Sequence, residues 1–439
     1  MTADPGLPGR APGRSQAGPN PPGGSANVPV GRGAGTLDWK PDEPSTLANP
    51  YPLFERMRDD DPCHWSPRLK SWVLTRYDDV KRACLDKARL SSDRLRPFFE
   101  SMPVGDAARI TDIVRYLSLW MVFKDAPEHT RLRRLTSKVF HARAMQGMRG
   151  QAQDISQWLL GRIDDRDEFD FIAEYAGPLP CLVIMAMLGV PREDLAAVKR
   201  MSDDIALFIG SSRTSAEKYD TAQAATHEMA DYFRALINSA REVARQDLLS
   251  ELVHLREGDD RLSDDELVAT CILLLFAGHE TTTNHIANGL RALMRFPQQM
   301  DLLRANPALA ADAVEELLRY DGPSGAQVRV VSSSHELHGK SLNEGDRVFI
   351  MLNAANRDPR AFTEPDQLDF HRDGSAHLTF GFGTHICLGF PLARTEGQVA
   401  FPDLLKAFSR IELLGDEPAW LNSLVFRGMQ TLPVRVQRG

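Results

Sequence analysis

Apolar residues recur at helical spacing through most of the chain, and this pattern predicts a mainly α-helical protein. Segments 142–163, 169–188, 192–209 and 215–245 have apolar residues three and four positions apart. A longer helix is expected from Leu267 to about Arg295, because Ser263 and Glu266 form a capping-box pattern just before it. Further helices are predicted over 78–85, from Pro307 to Tyr320, and from Pro391 to about Phe408.

Short β-elements interrupt this helical pattern. Strands are predicted over 71–77, 328–331 and 347–351, where β-branched, aromatic and other apolar residues cluster. Segment 353–375 is rich in Asp, Pro and Arg, which indicates irregular structure. The expected fold class is therefore mainly α with small β-sheets.

The composition changes sharply near residue 37. The first 36 residues contain nine Gly and seven Pro and almost no large apolar side chains. Such a segment buries too little surface to offset its ordering entropy, so 1–36 is predicted to be a disordered tail. The remaining chain, 37–439, has no obvious internal linker and is expected to form one large domain.

Charge and cysteine content exclude several classes of protein. A formal net charge of -8 argues against a nucleic-acid-binding protein. The five cysteines are scattered and form no CxxC pair, so neither a disulfide framework nor a structural zinc site is expected. No apolar run approaches the length of a membrane span, and no signal-peptide pattern opens the chain. The sequence therefore predicts a cytoplasmic protein.

The strongest candidate chemistry lies in segment 380–389, which reads FGFGTHICLG. Its glycines permit turns that other residues avoid, and they let backbone N–H groups approach the sulfur of Cys387. The helix predicted to begin at Pro391 adds the positive end of its dipole. Both effects favour a thiolate at Cys387. A buried cysteine in a glycine-rich turn is the alternative interpretation.

This segment resembles the haem-binding loop of the cytochrome P-450 family, F-G-x-G-x-H-x-C-x-G. All six defining positions match, namely Phe380, Gly381, Gly383, His385, Cys387 and Gly389. The resemblance implies a single haem-thiolate monooxygenase domain, built as a triangular prism of about a dozen helices. It also implies haem b as the cofactor, Cys387 as the iron ligand and Phe380 as a haem contact.

The long predicted helix contains an unfavourable stretch, FAGHETTTN at 276–284. Glycine and consecutive threonines weaken a helix interior, and a threonine hydroxyl can bond a carbonyl one turn back. A local widening of the helix at Ala277 and Gly278 is therefore expected. The family pattern (A/G)-G-x-(D/E)-T matches here, and it implies that Glu280 and Thr281 relay protons to dioxygen. Without the resemblance, a glycine kink beside solvated side chains remains open.

Glu316 and Arg319 are spaced for one helix face, and alone they would suggest only a surface ion pair. The family carries E-x-x-R in this helix, where the pair is understood to fix the irregular segment beneath the haem. Its usual third partner, an Arg, is replaced by Gln367 in this chain. Gln367 or a backbone group is expected to substitute.

Four residues are expected to bind the haem propionates. Segment 125–134 resembles the family's D-P-P-x-H-x-x-x-R, which implies that His129 and Arg133 contact these carboxylates. The resemblance assigns the same role to Arg329 and His385. Arginine matches a carboxylate well, although each residue alone could be a solvated surface group.

The resemblance implies insertion of one oxygen atom of O2 into a hydrophobic small molecule, as a hydroxylation or an epoxidation. Electrons are expected from separate proteins, a ferredoxin and its reductase, because no flavin or iron–sulfur module is fused to the chain. The pocket wall is expected at 95–103, 207–212, 276–277, 325–328 and 424–426.

Three alternatives and one docking surface remain open at this stage. The alternatives are a peroxide-driven peroxygenase, a non-catalytic haem-thiolate sensor, and a helical scaffold without haem. Glu280 and Thr281 argue against the first, since a peroxide route needs no dioxygen protonation. A cationic helix face formed by Arg131, Arg134 and Lys138 could receive an acidic ferredoxin, or it could simply be solvated.

Overall fold

The structure is a computed structural model that describes residue 37 and residues 39–140, 142–210, 216–243, 245–372 and 376–438. The segment predicted to be a disordered tail, 1–36, lies outside the described residues. The described part is mainly helical with small sheets, as expected. Its helices are α1 (Pro44–Ala48), α2 (Tyr51–Asp60), α3 (Tyr77–Leu85), α4 (Leu95–Glu100), α5 (Val104–Ala107), α6 (Glu128–Val139), α7 (Ala142–Arg162), α8 (Pro178–Met187), α9 (Leu195–Gly210), α10 (Ala216–Glu242), α11 (Leu248–His254), α12 (Asp264–Arg295), α13 (Pro297–Ala305), α14 (Ala310–Asp321), α15 (Leu352–Ala355) and α16 (Phe390–Ala407).

The strands form three small sheets. They are β1 (Cys63–Ser66), β2 (Ser71–Leu74), β3 (Leu90–Ser91), β4 (Glu168–Asp170), β5 (Ala326–Val331), β6 (His335–Leu337), β7 (Lys340–Leu342), β8 (Arg347–Met351), β9 (Phe408–Leu413) and β10 (Pro433–Arg438). The largest sheet has the order β1-β2-β8-β5-β3, in which β2 and β8 are parallel. A second sheet has the order β4-β10-β9, and β6 pairs with β7. The predicted strand 347–351 coincides with β8.

Helix α12 runs through the core and is close to 50 Å long, given about 1.5 Å per residue. Its predicted capping box is confirmed: the Ser263 hydroxyl accepts from the Glu266 amide at 3.2 Å, and the Ser263 amide donates to the Glu266 carboxylate at 2.8 Å. Most of its residues are buried, because α8, α10, α14 and α16 pack around it. The helix is continuous through Ala277 and Gly278, so the expected widening is absent.

The prediction of one helix over 169–188 is wrong. The structure divides this segment into β4, a π-helical turn at Ile172–Ala176, and α8. The cause is a distant contact: β4 pairs with β10, and the Asp170 carboxylate accepts hydrogen bonds from the amides of Ile172 and Leu432. Pro178 then begins α8, at a position that proline favours.

The other predicted elements differ from the structure mainly at their ends. The strand expected over 71–77 stops at Leu74, and the helix expected from Pro307 begins with a 3-10 turn before α14. Segment 353–375 is irregular where described, apart from α15 at its start. Across the described ranges, no helix has both the length and the apolarity that crossing a bilayer requires.

Candidate active site

A cavity of about 330 Å³ lies between α12, β5 and the loop 380–389. Most of its wall is apolar, and the predicted segments contribute Ile209, Phe276, Ala277 and two stretches, 326–328 and 425–426. Segment 95–103 was also expected in the wall but does not line this cavity in the described structure. Phe99 instead stacks on Phe208 of α9, with ring centroids 6.4 Å apart.

The loop 380–389 presents Cys387 to this cavity. The Cys387 amide donates to the Phe380 carbonyl at 2.8 Å, which closes the loop. Gly381 and Gly383 have φ of 73° and 77°, so the predicted need for glycine is confirmed at both positions. Gly389 has an ordinary φ of -86° and instead precedes α16.

The Cys387 thiol faces backbone donors, as expected. The amides of Gly389 and Phe390, together with the charge of Arg133, favour the thiolate. Desolvation deep in the protein is the larger effect, and it raises the pKa of Cys387 above its usual value even though the side chain is open to the cavity. The expected backbone donors to the sulfur are therefore present, and burial is an opposing effect that the sequence did not indicate.

Five cationic or titratable side chains converge on the same cavity: Arg94, His129, Arg133, Arg329 and His385. Their hydrogen-bond partners in the described residues are neutral. Arg133 donates to the Ile386 carbonyl at 2.7 Å, and Arg329 donates to the Val328 carbonyl and the Gln327 amide oxygen. His385 lies 3.1 Å from the Ser92 hydroxyl, and its ring centroid is 3.9 Å from that of His129. Arg94 lies over the ring of Phe123.

None of these five side chains forms an ion pair within the described residues, although the Asp125 carboxylate is near enough to act on His129, Arg329 and His385. Burial lowers the pKa of His385 to about 3, with His129 and Arg329 adding to the effect. Burial likewise lowers the pKa of Arg94 to about 10 and lowers the pKa of Arg329. Buried cations are normally paired, so this arrangement fits a ligand that carries negative charge. Haem has two propionates, which suit these donors.

Glu280 and Thr281 both line the cavity on α12. The Thr281 hydroxyl donates to the Ala277 carbonyl at 3.1 Å, which is the predicted bond to the preceding turn. The Glu280 carboxylate accepts weakly from the Asn284 amide at 3.4 Å. Gly278 is needed for packing rather than for a widened helix, because a Cβ there would lie 2.9 Å from Ile184 of α8.

The sequence did not identify several polar groups of the cavity wall. Glu396 and His285 are buried without a side-chain hydrogen bond of good geometry, although the Thr282 hydroxyl lies near the Glu396 carboxyl. Burial raises the pKa of Glu396 well above its usual value, which favours the neutral form of this carboxyl. Arg94 was also missed. Glu396 and Arg94 lie in ordinary-looking polar segments, and only the tertiary fold brings them to the cavity.

The pair of Glu316 and Arg319 is buried and fixes the irregular segment, as the resemblance implies. Arg319 donates to both Glu316 oxygens at 2.7 and 2.8 Å and to the carbonyls of Asn356, Pro365 and Gln367. Gln367 offers only its carbonyl as an acceptor, and the expected backbone substitute for the missing Arg is the Asp369 amide, which donates to Glu316 at 3.0 Å. The sequence did not identify a second arginine that binds Glu316. Arg372 donates to the Glu316 carboxylate at 3.1 and 3.2 Å.

Glu316→Ala should destabilise the protein by about 3–5 kcal/mol, because it leaves the buried Arg319 without its counter-charge. Urea unfolding followed by circular dichroism measures this change. Asp301→Ala is the matched control, since Asp301 pairs with Arg304 at the same spacing but is 75% exposed. Its effect should stay within about 0.5 kcal/mol, and equal losses in the two variants would contradict the structural role of Glu316.

The cationic face expected on α6 is neutralised within the chain. Arg131 pairs with Asp260 and Glu266, while Arg134 and Lys138 pair with Glu257. The ion pairs weaken the interpretation of this face as a docking site for an acidic ferredoxin. The alternative of a solvated face agrees with side chains that are 35–48% exposed.

A mainly helical fold, a cavity that holds a cysteine thiol, and a buried cationic cluster suited to two carboxylates together define a haem-thiolate protein. Comparison with known proteins agrees. The sequence matches the family Cytochrome P450 over residues 63–419. The chain belongs to the cytochrome P450 family, and it is a haem b monooxygenase.

Three relatives illustrate the match. The polyketide biosynthesis cytochrome P450 PksS of Bacillus subtilis is 34% identical over 402 residues, covering 89% of this chain and 96% of the relative. Vitamin D(3) 25-hydroxylase of Pseudonocardia autotrophica is 37% identical over 392 residues, covering 88% and 93%. The crystal structure of P450BioI in complex with an acyl carrier protein ligated to hexadec-9Z-enoic acid has a TM-score of 0.82 at 31% identity, covering 90% and 99%.

Proposed function

We propose that this enzyme uses Cys387 as the axial iron ligand and inserts one oxygen atom of O2 into a lipophilic small molecule. The observation that carries the proposal is the convergence of the Cys387 thiol and the unpaired cationic cluster on one apolar cavity. Haem with a thiolate ligand supplies the O–O cleavage chemistry when it is bound. The protein supplies the ligand, the orientation of the cofactor and the protons.

The cationic cluster would orient the haem. His129, Arg133, Arg329 and His385 are the proposed propionate partners, and Arg94 joins them. The Phe380 side chain lines the cavity beside Cys387 and contacts Phe390, so we assign it to the haem contact surface. Binding of a dianionic ligand would reverse the lowered pKa values of the buried arginines, since an opposite charge favours the charged form.

Glu280 and Thr281 are the proposed proton donors to dioxygen. Both side chains line the cavity, while the helix around them is largely buried. A carboxylic acid and a hydroxyl in sequence can hand over protons one at a time while bulk water stays outside. Held by the Ala277 carbonyl, the Thr281 hydroxyl has a fixed position from which to act.

The substrate is proposed to be lipophilic, because the cavity wall beyond the cationic cluster is mostly apolar. Trp120, Ile184, Leu273, Phe276 and Val328 contribute to it. Three similar proteins support this proposal, since their names mention polyketide biosynthesis, vitamin D(3) and a fatty acid carried by an acyl carrier protein. A hydroxylation or an epoxidation is the proposed reaction.

Electrons are proposed to come from separate proteins, a ferredoxin and a ferredoxin reductase. The structural match to P450BioI covers 90% of this chain, so nearly all of its residues belong to the haem domain. A reducing, cytoplasmic location is also proposed. It is supported by the five cysteines, none of which is paired in a disulfide.

Arg329→Gln should speed haem loss by about 10-fold or more, because a hydrogen bond to a charged group contributes about 1.5–3 kcal/mol. Transfer of haem to apomyoglobin gives the rate. Arg347→Gln is the matched control: Arg347 lies on the neighbouring strand β8 and donates to the Leu69 carbonyl, away from the cavity. Equal rates for wild type and Arg329→Gln would refute the propionate assignment.

The function is tested by reconstituting the haem protein with a ferredoxin, its reductase and NADPH, and screening lipophilic compounds under isotopically labelled dioxygen. Label in the product supports the proposed monooxygenase. Product that forms only with added hydrogen peroxide would instead identify a peroxygenase. Absence of reductant consumption with every donor and compound would favour a sensor.

A further inference from the structure

Three side chains that could bind a metal ion meet at Glu280, one of the two proposed proton donors. Asp203 on α9 and the neighbouring residues His279 and Glu280 on α12 place one ligand atom each within 4.8 Å of one another. His279 is 1% exposed, whereas the Asp203 side chain is about half exposed at 48%. The cluster therefore extends from the buried side of α12 to the solvent, which gives an ion a route of entry.

The imidazole of His279 has one nitrogen engaged and one without a partner. Nδ1 lies 3.0 Å from the Leu275 carbonyl, and because a carbonyl only accepts, Nδ1 carries the hydrogen. Nε2 of the neutral ring then presents a lone pair. This atom is buried, has no hydrogen-bond partner, and lies 3.9 Å from Asp203 Oδ1.

Three electron-pair donors that face one another repel unless something positive lies between them. The 3.9 Å between Nε2 and Asp203 Oδ1 is too long for a hydrogen bond, so His279 does not satisfy this carboxylate oxygen. Lys199 occupies only Asp203 Oδ2, at 2.6 Å, so Oδ1 remains directed toward His279. The described residues place no positive group between Nε2 and the two carboxylates.

The arrangement has the features of a transition-metal site. Zn²⁺ accepts one imidazole nitrogen and two carboxylate oxygens, and metal-binding histidines usually donate their other N–H to a carbonyl, as His279 does. Bond lengths near 2 Å place tetrahedral ligand atoms about 3.3 Å apart. The 3.9 Å between Nε2 and Asp203 Oδ1 exceeds this only slightly, and rotation of the exposed Asp203 side chain can close it.

We propose that Asp203, His279 and Glu280 bind a divalent transition-metal ion, with Zn²⁺ the best match. Binding would engage the Glu280 carboxylate and thereby stop its proton transfer. This inhibitory consequence rests on the proposed role of Glu280, whereas metal binding itself does not.

The test is a titration of the metal-stripped holoprotein with ZnCl2 in competition with a chromophoric chelator. One equivalent should bind to wild type, and His279→Gln or Asp203→Asn should each weaken binding by at least about 10-fold, since even outer partners of metal ligands contribute that much. Lys199→Gln should strengthen binding, because it removes a competing cation from Asp203.

His227→Gln is the matched control. His227 also contacts two carboxylates, Asp112 and Asp231, but through opposite ring nitrogens, so the three groups do not converge. Its Zn²⁺ affinity should equal that of wild type. Absence of binding in wild type, or equal binding in His279→Gln, would overturn the proposal. Binding without a loss of turnover would instead reject only the role of Glu280.

Discussion

Cys387→Ala should abolish the strongly red-shifted Soret band of the dithionite-reduced carbon monoxide complex, and with it all oxygen insertion. The red shift depends on electron donation from a thiolate into the haem iron. Alanine offers no donor, and no other described cysteine lines the cavity. The reduced-minus-reduced carbon monoxide difference spectrum of wild type and variant is the measurement.

Cys84→Ala provides the matched control for this experiment. Cys84 is buried beside the same loop, where its carbonyl lies close to Gly383, but it does not line the cavity. Its variant should keep the red-shifted band. A red-shifted band in Cys387→Ala, or its loss in Cys84→Ala alone, would contradict the assignment of the axial ligand.

The raised pKa of Cys387 clarifies how the thiolate arises. Burial opposes ionisation more strongly than the amides of Gly389 and Phe390 favour it. An iron ion bound to Cys387 would favour loss of the thiol proton, because a coordinating thiol is deprotonated by its metal. The amides of Gly389 and Phe390 would then stabilise the resulting thiolate.

Local signals in the sequence predicted the elements that local interactions determine. The capping box at Ser263 depends on neighbouring residues and was predicted correctly. The strand at 347–351 was also predicted, because its apolar pattern is local although its partners β2 and β5 are distant in sequence. The helix over 169–188 was wrong because β4 is defined by its pairing with β10, more than 250 residues away in sequence. Likewise, the role of Arg372 depends on how the irregular segment folds back onto α14.

Arginine illustrates the limit of sequence reasoning for the site. Arg131 and Arg134 lie in the same predicted helix as Arg133, and nothing in the sequence separates them by function. The structure gives Arg131 and Arg134 carboxylate partners between residues 257 and 266, while Arg133 faces the cavity with only a backbone acceptor. Family resemblance singled out Arg133, whereas charge alone would have treated all three alike.

Thr281→Ala should lower product formation by about 100-fold, the smaller end of the contribution that positioned proton donors make. The Thr281 hydroxyl is held at the cavity by the Ala277 carbonyl, so its loss should interrupt the proposed proton delivery from Glu280. Reductant and oxygen should still be consumed, with the electrons released as hydrogen peroxide. Parallel assays of NADPH, oxygen, peroxide and product measure this uncoupling.

Thr283→Ala is the matched control, because Thr283 lies two residues away on α12 but outside the cavity wall. It should keep the coupling of wild type, and Thr281→Ser should recover most of it by restoring the hydroxyl. Peroxide-supported turnover should survive in Thr281→Ala, since that route needs no protonation of dioxygen. If electron-supported turnover of Thr281→Ala stayed fully coupled, the proton relay would have to run through another group, and the buried acid Glu396 faces the same cavity.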